Sequence, residues 1–198
     1  MWFSRRKETP VPAELARRIK SALALFDAGQ YQHAEPEWAA LVLDCREQLG
    51  PDHPETLRNV DRLGSVYFRL KMLVQSEAMH RAAHDQALTT FGADHPETLS
   101  FAHNRACAMV VMGDRSAIPL LEDTLARQRR RLGKRHEATI TTAKTLGVFL
   151  FMKGDAQGAL DTLEEALAAA TRAFGRDDPL TADIAHQLDI VRRNSYRR

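Results

Sequence analysis

Residues 50–57 read GPDHPETL, and residues 92–99 repeat this segment with one change as GADHPETL. Two weaker copies follow, GKRHEATI at residues 133–140 and GRDDPLTA at residues 175–182. The opening glycines of the four copies are spaced by 42, 41 and 42 residues. Because two nearly identical octapeptides lie in phase with two degraded ones, the spacing predicts a structural unit that recurs about every 42 residues.

Each octapeptide has the chemistry of a junction between two helices. Glycine adopts the left-handed conformation that closes a helix, and proline is tolerated in the first turn of the next one. Asp52 and Asp94 lie just before that next helix, so we expect their carboxylates to cap its free N–H groups. Glu55 and Glu97 suit the positive end of the helix dipole.

A second, tighter junction is expected midway through each unit. Between the junctions the apolar residues follow helical spacing, as at Val60, Leu63 and Tyr67, and no segment shows sustained strand alternation. Short links make consecutive helices antiparallel neighbours, and stacking such pairs gives an α-solenoid. The predicted fold class is therefore all-α. The midway junctions lie at residues 28–31, 70–73, 112–115 and 153–156.

The predicted solenoid contains about four helix–turn–helix units. Residues 179–193 should form a helix that caps the stack, because the end of a repeat array must present a polar face to water. Residues 1–12, which contain Pro10 and Pro12, are expected to form a flexible N-terminal arm, and residues 194–198 a C-terminal tail. The four units are predicted at residues 13–53, 54–95, 96–136 and 137–178.

In these segments the chain resembles the tetratricopeptide repeat (TPR), in the long-repeat form of kinesin light chains. The resemblance covers about residues 13–193. It implies a right-handed superhelix whose concave surface is lined by the first helix of each unit. The matching residues lie at the start of α-helical segments and at the first two octapeptides, and they are Tyr31, Ala34, Glu35, Pro36, Leu49, Gly50, Asp52, His53, Pro54, Thr56, Leu57, Asp94, His95, Pro96, Thr98 and Leu99.

The chain also departs from this pattern. Of the paired asparagines that the family carries in its first helix, only Asn104 is present, and Arg105 occupies the position of a packing leucine. HEAT repeats share the period and are the structural alternative. TPR packing is favoured by a small residue near the middle of each first helix, namely Ala22, Gly64, Ala106 and Gly147.

Composition excludes several classes of protein. The chain has 198 residues, 44% hydrophobic and 27% charged, with a net charge of +2, so it is neither wholly disordered nor a highly charged tail protein. It has no apolar run long enough to cross a membrane. Its two cysteines lack the spacing of a disulfide scaffold or a zinc site. A cytoplasmic location is expected, and the excess of arginine over lysine favours a bacterial source.

No catalytic constellation is evident, so we expect no enzymatic activity, no cofactor and no metal. His80 and His84 have the i, i+4 spacing of metal ligands, but Arg81 occupies the position of the glutamate that a zinc protease needs. A solvated or partly packed helix face is the favoured interpretation of this pair. Cys107 has no base that the sequence identifies, and a reactive thiol is the minor alternative for it.

Aligning the first helices places Phe26, Phe68, Val110 and Phe151 in one apolar row with polar side chains beside it. Such a surface suits an extended or helical peptide, because apolar anchors bury area while arginine binds acidic groups. The alternative is that the phenylalanine row belongs to the core between helices. The predicted concave groove consists of Phe26, Arg58, Asp61, Arg62, Ser65, Phe68, Arg69, His103, Asn104, Cys107, Lys144, Val148 and Phe151.

A basic run closes the second helix of the third unit. Cations stabilise a helix C-terminus, so a solubilising helix end is the favoured interpretation, with an acidic partner or nucleic acid as the alternative. Nucleic acid is the less favoured partner, because no aromatic residues are interleaved. The run consists of Arg127, Arg129, Arg130, Arg131, Lys134 and Arg135.

These features predict a non-enzymatic adaptor or scaffold that binds a partner protein or peptide, with acidic and apolar anchor residues, in the concave TPR groove. The substitutions Arg62→Glu and Arg69→Glu together should then abolish partner capture. The alternative function is a ligand- or peptide-sensing regulatory TPR protein that acts through a separate effector. Trp2 and Phe3 on the arm suggest self-association as a further hypothesis. No membrane partner is expected.

Overall fold

The computed structural model describes residues 9–195, which form helices joined by short links. No strand occurs in this range, and the predicted all-α class is confirmed. Trp2 and Phe3, on which the self-association hypothesis rests, lie outside the described residues, as do Arg197 and Arg198. The nine helices of this range are α1 (Ala13–Asp27), α2 (Tyr31–Gln48), α3 (Pro54–Arg69), α4 (Leu73–Phe91), α5 (Pro96–Val111), α6 (Ala117–Arg131), α7 (Glu137–Met152), α8 (Ala156–Phe174) and α9 (Pro179–Ser195).

The octapeptides join consecutive helices, and a histidine side chain caps the new helix at three of the four junctions. Nδ1 of His53, His95 and His136 accepts a hydrogen bond from the backbone N–H two residues later, at 3.1, 3.3 and 3.2 Å. At the fourth junction Asp178 takes the place of histidine, and its carboxylate accepts from the N–H of Leu180 at 2.9 Å. One acceptor therefore satisfies a free N–H group of each new helix.

The expectation that Asp52 and Asp94 cap these helices is wrong. Asp52 accepts a hydrogen bond from the side-chain amide of Gln86 at 2.6 Å, and Asp94 pairs with Arg127 at 3.0 Å. Both aspartates lie one residue before the capping position, so their side chains reach a neighbouring second helix instead. They hold the junction to α4 in one case and to α6 in the other.

The two kinds of junction depend on left-handed backbone. The glycine that opens each octapeptide has a φ between 89° and 95°. At the midway turns Gly29, Gly113 and Gly154 also have positive φ, and Lys71 occupies the corresponding position with a φ of 64°. A side chain in this conformation is strained by about 1 kcal/mol, so the α3–α4 turn is the one of the four that retains such strain.

The chain divides into two compact units, unit 1 up to Gly92 with helices α1–α4 and unit 2 from Ala93 with helices α5–α9. In unit 1 each helix packs against the next one in sequence. The buried core of unit 1 is formed by apolar side chains from all of its helices, with Leu15 on α1, Trp38 and Leu41 on α2, Val60 on α3 and Ala83 on α4.

Helices α3 and α4 approach closely at Gly64. A Cβ atom at this position would lie 2.8 Å from the imidazole of His80, and the Ser76 hydroxyl donates a hydrogen bond of 2.9 Å to the Gly64 carbonyl. His80 in turn is joined to Asp61 by a hydrogen bond of 2.6 Å between Nδ1 and Oδ1. The expectation of a solvated or partly packed face is therefore wrong, because His80 and His84 are both buried and His80 packs against α3 at Gly64 and Asp61.

In unit 2 consecutive helices also pack together, and α7 in addition contacts α5 and α9. The core contains Phe149, Leu121 and Leu163, and α9 adds Ile184 and Leu188. Gly147 allows the close approach of α7 and α8, since a Cβ there would lie 2.7 Å from the Leu163 side chain. The small residues predicted from TPR packing are all buried, at Ala22, Gly64, Ala106 and Gly147.

Candidate functional site

The apolar row on the first helices is neither fully buried nor fully exposed. Phe26 and Phe68 of unit 1 are half-buried, and so are Val110 and Phe151 of unit 2. In unit 2 the fully buried phenylalanine of α7 is Phe149, which is not a member of the row. The row therefore supplies apolar area at the surface of each unit in addition to packing within it.

In unit 1, Phe26 packs edge-on against Tyr31, with ring centroids 5.2 Å apart and an interplanar angle of 68°. The Arg69 guanidinium lies over the Tyr31 ring, 6.0 Å from the ring centroid. Ser65, Phe68 and Arg69 share one side of α3, because residues three and four apart are neighbours on a helix surface. Arg69 is exposed, so an apolar surface with an available cation forms at this end of unit 1.

The other two arginines of α3 are held within the protein. Glu55 accepts hydrogen bonds from Arg58 at 2.9 Å and from Arg62 at 2.6 Å. Burial alone would raise the pKa of Glu55, but the bonds from the two guanidinium groups outweigh it and leave the pKa below its usual value. Arg58 and Arg62 therefore neutralise an internal carboxylate before they can bind an external one.

Arg62 is the more firmly held of the pair. It also donates to the side-chain oxygen of Asn59 at 2.9 Å and lies 5.5 Å from the ring centroid of the buried Trp38. Asp61, the next predicted groove residue, is 8% exposed and bonded to His80. Charge reversal of Arg62 would therefore disturb packing as well as the surface, which makes it a poor probe of binding.

In unit 2 the predicted residues His103 and Cys107 lie together on α5. Cys107 Sγ is 3.4 Å from His103 Nε2, and His103 Nδ1 is 3.0 Å from the Thr142 hydroxyl. Burial raises the pKa of the Cys107 thiol to about 11, against a smaller opposing effect from a hydrogen bond with Thr145. The thiol is therefore protonated at neutral pH and is not the activated nucleophile that a catalytic cysteine requires.

The remaining predicted residues of unit 2 lie on α5 and α7. Lys144 donates a hydrogen bond of 2.6 Å to Asp183 of α9, and this bond holds the pKa of Asp183 below its usual value. Asn104, Val148 and Phe151 are half-buried. The first helices of unit 2 thus present a mixed polar and apolar surface whose lysine is already paired.

The described residues contain no group of three or more histidine, cysteine, aspartate or glutamate side chains arranged to hold a metal ion. In the same part of the chain, no helix combines the length and the apolar character that crossing a membrane demands.

Several cations of the basic run at residues 127–135 form ion pairs with carboxylates. Arg127 pairs with Asp123 at 2.6 Å and with Asp94, and these hydrogen bonds raise its pKa. Arg129 and Lys134 both pair with Glu165 of α8, at 2.6 and 3.1 Å. The run therefore contributes to the packing of unit 2.

Sequence reasoning missed two functional features. In the sequence Tyr31 stands out only as a residue of the TPR pattern, yet in the structure it contacts both Phe26 and Arg69 at the surface of unit 1. The capping histidines recur in three octapeptides, and their position directly before the start of a helix is the signal that identifies them as caps.

Comparison with known proteins agrees with this architecture. Residues 139–180, which contain most of α7 and all of α8, match the family profile of the tetratricopeptide repeat. The chain has the fold of a TPR protein. Among curated proteins none matches it.

Solved structures extend this TPR likeness to nearly the whole chain. A Podosopora anserina protein described by its "kinesin light chain nearly identical TPR-like repeats" superposes with a TM-score of 0.80 at 21% identity, covering 96% of this chain and 90% of that one. A single-residue variant of the same protein gives 0.82 with the same identity and coverage. The predicted resemblance to kinesin-light-chain-like TPR proteins is therefore confirmed.

Another solved structure is also similar to this chain in fold. BtubC (BKLC) from P. vanneervenii superposes with a TM-score of 0.76 at 17% identity, covering 88% of this chain and 70% of that one. At this level of identity the comparison defines the fold of the chain and nothing finer about its partners.

Proposed function

We propose that this TPR protein is a non-enzymatic adaptor that binds a partner protein or peptide through the surfaces of its first helices. The observation that carries the proposal is the half-buried state of Phe26, Phe68 and Phe151. An aromatic side chain that keeps part of its area in water can gain hydrophobic free energy when a partner covers it. The TPR fold supports the same role, since its repeats generally mediate interactions between proteins.

The unit 1 surface favours a partner with an apolar anchor beside an acidic group. Phe26, Phe68 and Tyr31 supply rigid apolar area, and Arg69 supplies an exposed cation next to it. Aromatic and arginine side chains dominate the energetics of most protein interfaces. The structural comparison does not favour the alternative of a ligand- or peptide-sensing regulator. We therefore propose the adaptor function alone, and we propose that it is carried out in the cytoplasm.

The test is the combined variant Phe68→Ser and Arg69→Glu, with affinity capture from the source cells and identification of the retained proteins. Loss of an aromatic anchor and reversal of a charge should each weaken binding about tenfold or more. We therefore expect the partners captured by the wild type to fall below detection. Circular dichroism and thermal unfolding establish that the variant remains helical.

The matched control is Leu43→Ser with Arg46→Glu on α2, where Leu43 is 65% exposed and Arg46 is exposed as well. It makes the same chemical changes on a second helix. We expect this variant to retain the partners. If the Phe68 and Arg69 variant kept the same partners at the same yield, the first-helix surface of unit 1 would not be the docking site.

A further inference from the structure

Unit 2 contains a cleft of about 450 Å³ between α6, α7 and α8 that the proposed adaptor surface does not include. Its floor is apolar and is formed by Leu125 of α6, Ile140 and Ala143 of α7, and Ala166 and Ala169 of α8. The volume lies within the range of sites that enclose a side chain or small ligand. Because alanine lines the α8 side, the wall leaves room that a larger side chain would fill.

Cations surround this apolar floor. Arg129, Lys134, Arg135 and Arg172 line the cleft together with a single carboxylate, Glu165, which leaves a net charge of +3. Arg129 and Lys134 share Glu165. No carboxylate of residues 9–195 pairs with Arg135 or Arg172, and both are exposed.

A solubilising helix end accounts for only part of the basic run. Arg130 and Arg131 are exposed in the last turn of α6, where they stabilise the helix C-terminus without lining the cleft. Arg172 belongs to α8 and lines the same cleft. The convergence of cations from two helices on one apolar opening has no explanation in the stability of either helix.

We propose that this cleft binds an acidic peptide segment that inserts one bulky apolar side chain, of leucine or phenylalanine size, between flanking carboxylates. The apolar side chain would cover the floor formed by Ile140 and Ala169, and the carboxylates would pair with Arg135 and Arg172. Arginine suits this role, because its planar guanidinium binds carboxylates in a forked geometry. This site is independent of the first-helix surface proposed above.

The charge of the rim selects against two other occupants. The N-terminal segment of a second copy carries Arg5, Arg6 and Lys7, so it would be repelled by the rim despite its apolar Trp2 and Phe3. Nucleic acid would satisfy the cations, but none of the residues that line the cleft is aromatic, so no base could stack there.

The test uses the full chain and a fluorescein-labelled octapeptide in which one leucine is flanked by aspartate and glutamate on both sides. We expect saturable binding by fluorescence anisotropy in 50 mM NaCl, and weaker binding in 200 mM NaCl as ions screen the rim. Replacing the leucine of the peptide by serine should weaken binding at least tenfold, because the apolar floor would lose its ligand.

The variant that removes the site is Arg135→Glu with Arg172→Glu, and the matched control is Arg130→Glu with Arg131→Glu, which changes the net charge equally. We expect at least a tenfold loss of affinity in the first and less than a threefold change in the second. Equal losses in the two variants, or equal affinity for the leucine and serine peptides, would overturn the proposal. Tighter binding of a single-stranded oligonucleotide of equal charge would overturn it in favour of nucleic acid.

Discussion

At the scale of single residues, neighbours decide what a reactive side chain can do. Cys107 lies 3.4 Å from an imidazole nitrogen of His103, a pairing that in another setting activates a thiol. Here the thiol is half-buried in a helical surface, and the cost of placing a thiolate there dominates. The raised pKa therefore leaves the Cys107 thiol protonated at neutral pH despite the neighbouring imidazole.

We expect Cys107 to react slowly with iodoacetamide, because the thiolate is the nucleophile and its pKa is about 11. At pH 8 the rate should be about 100-fold below that of an ordinary cysteine. It should rise about tenfold per pH unit from pH 7 to 9.5 without levelling off. Mass spectrometry of the alkylated protein measures the rate.

The variant Cys107→Ser provides the blank for this measurement, since it retains only Cys45, which is fully buried. Both thiols should react rapidly in urea, where the burial is lost. A plateau of the Cys107 rate near pH 8 in the folded protein would contradict the raised pKa.

At the scale of helices, the octapeptide acts as a combined stop and start signal. Glycine ends one helix with a positive φ. Histidine or aspartate then caps the next helix by accepting a hydrogen bond from one of its backbone N–H groups. The octapeptide predicted a junction between two helices correctly, but the caps are His53 and His95 and not the predicted Asp52 and Asp94. The identity of the cap depends on which residue directly precedes the first helical residue, and Asp178 in the fourth copy was the available clue.

We expect His136→Ala to lower the free energy of unfolding by about 1 kcal/mol, because the N–H of Ala138 loses its acceptor. His136→Asp should stay within about 0.5 kcal/mol of the wild type, since an aspartate performs this role at the fourth junction. Urea unfolding followed by circular dichroism measures both. Equal stability of the alanine and aspartate variants would show that the cap contributes nothing.

At the scale of the whole molecule, each compact unit must bury the apolar faces of its own helices. In unit 2 the last helix, α9, supplies Ile184, Leu188 and Val191 to the core, while its exposed side carries His186 and Asp189. One face of α9 therefore packs into the core of unit 2, and the other face meets water. Its apolar residues should therefore determine the stability of unit 2 more than its charges do.

We expect Leu188→Ala to destabilise unit 2 by about 2–4 kcal/mol, through lost burial and the cavity left against α8. Leu188 is 2% exposed, so nearly all of its side chain contributes buried area that the alanine variant would lose. His186→Ala, on the exposed side of the same helix, should change stability by less than about 0.5 kcal/mol. Thermal unfolding compares the two variants, and a similar effect of both would show that α9 does not close the core.

Much of the fold could be predicted from the sequence, but less of the candidate site. The helices follow from local chemistry, since Gly50 and Pro54 carry their conformational preferences with them. The state of Arg62 could not be predicted, because its partners Glu55 and Trp38 lie seven residues away and on another helix. Helical spacing predicts the face of the helix on which a side chain lies. It does not predict whether that side chain is already paired with a residue of opposite charge.

The sequence by itself determined the period of the repeat, the all-α class and the TPR likeness, because junction residues act over a few positions of the chain. Only the tertiary structure decided which cations are available to a partner. Arg58 and Arg62 are bound to Glu55, and Arg129 is bound to Glu165, whereas Arg69 and Arg135 are exposed. Ion pairing depends on distances between atoms of different turns and different helices, and these distances exist only once the helices have packed.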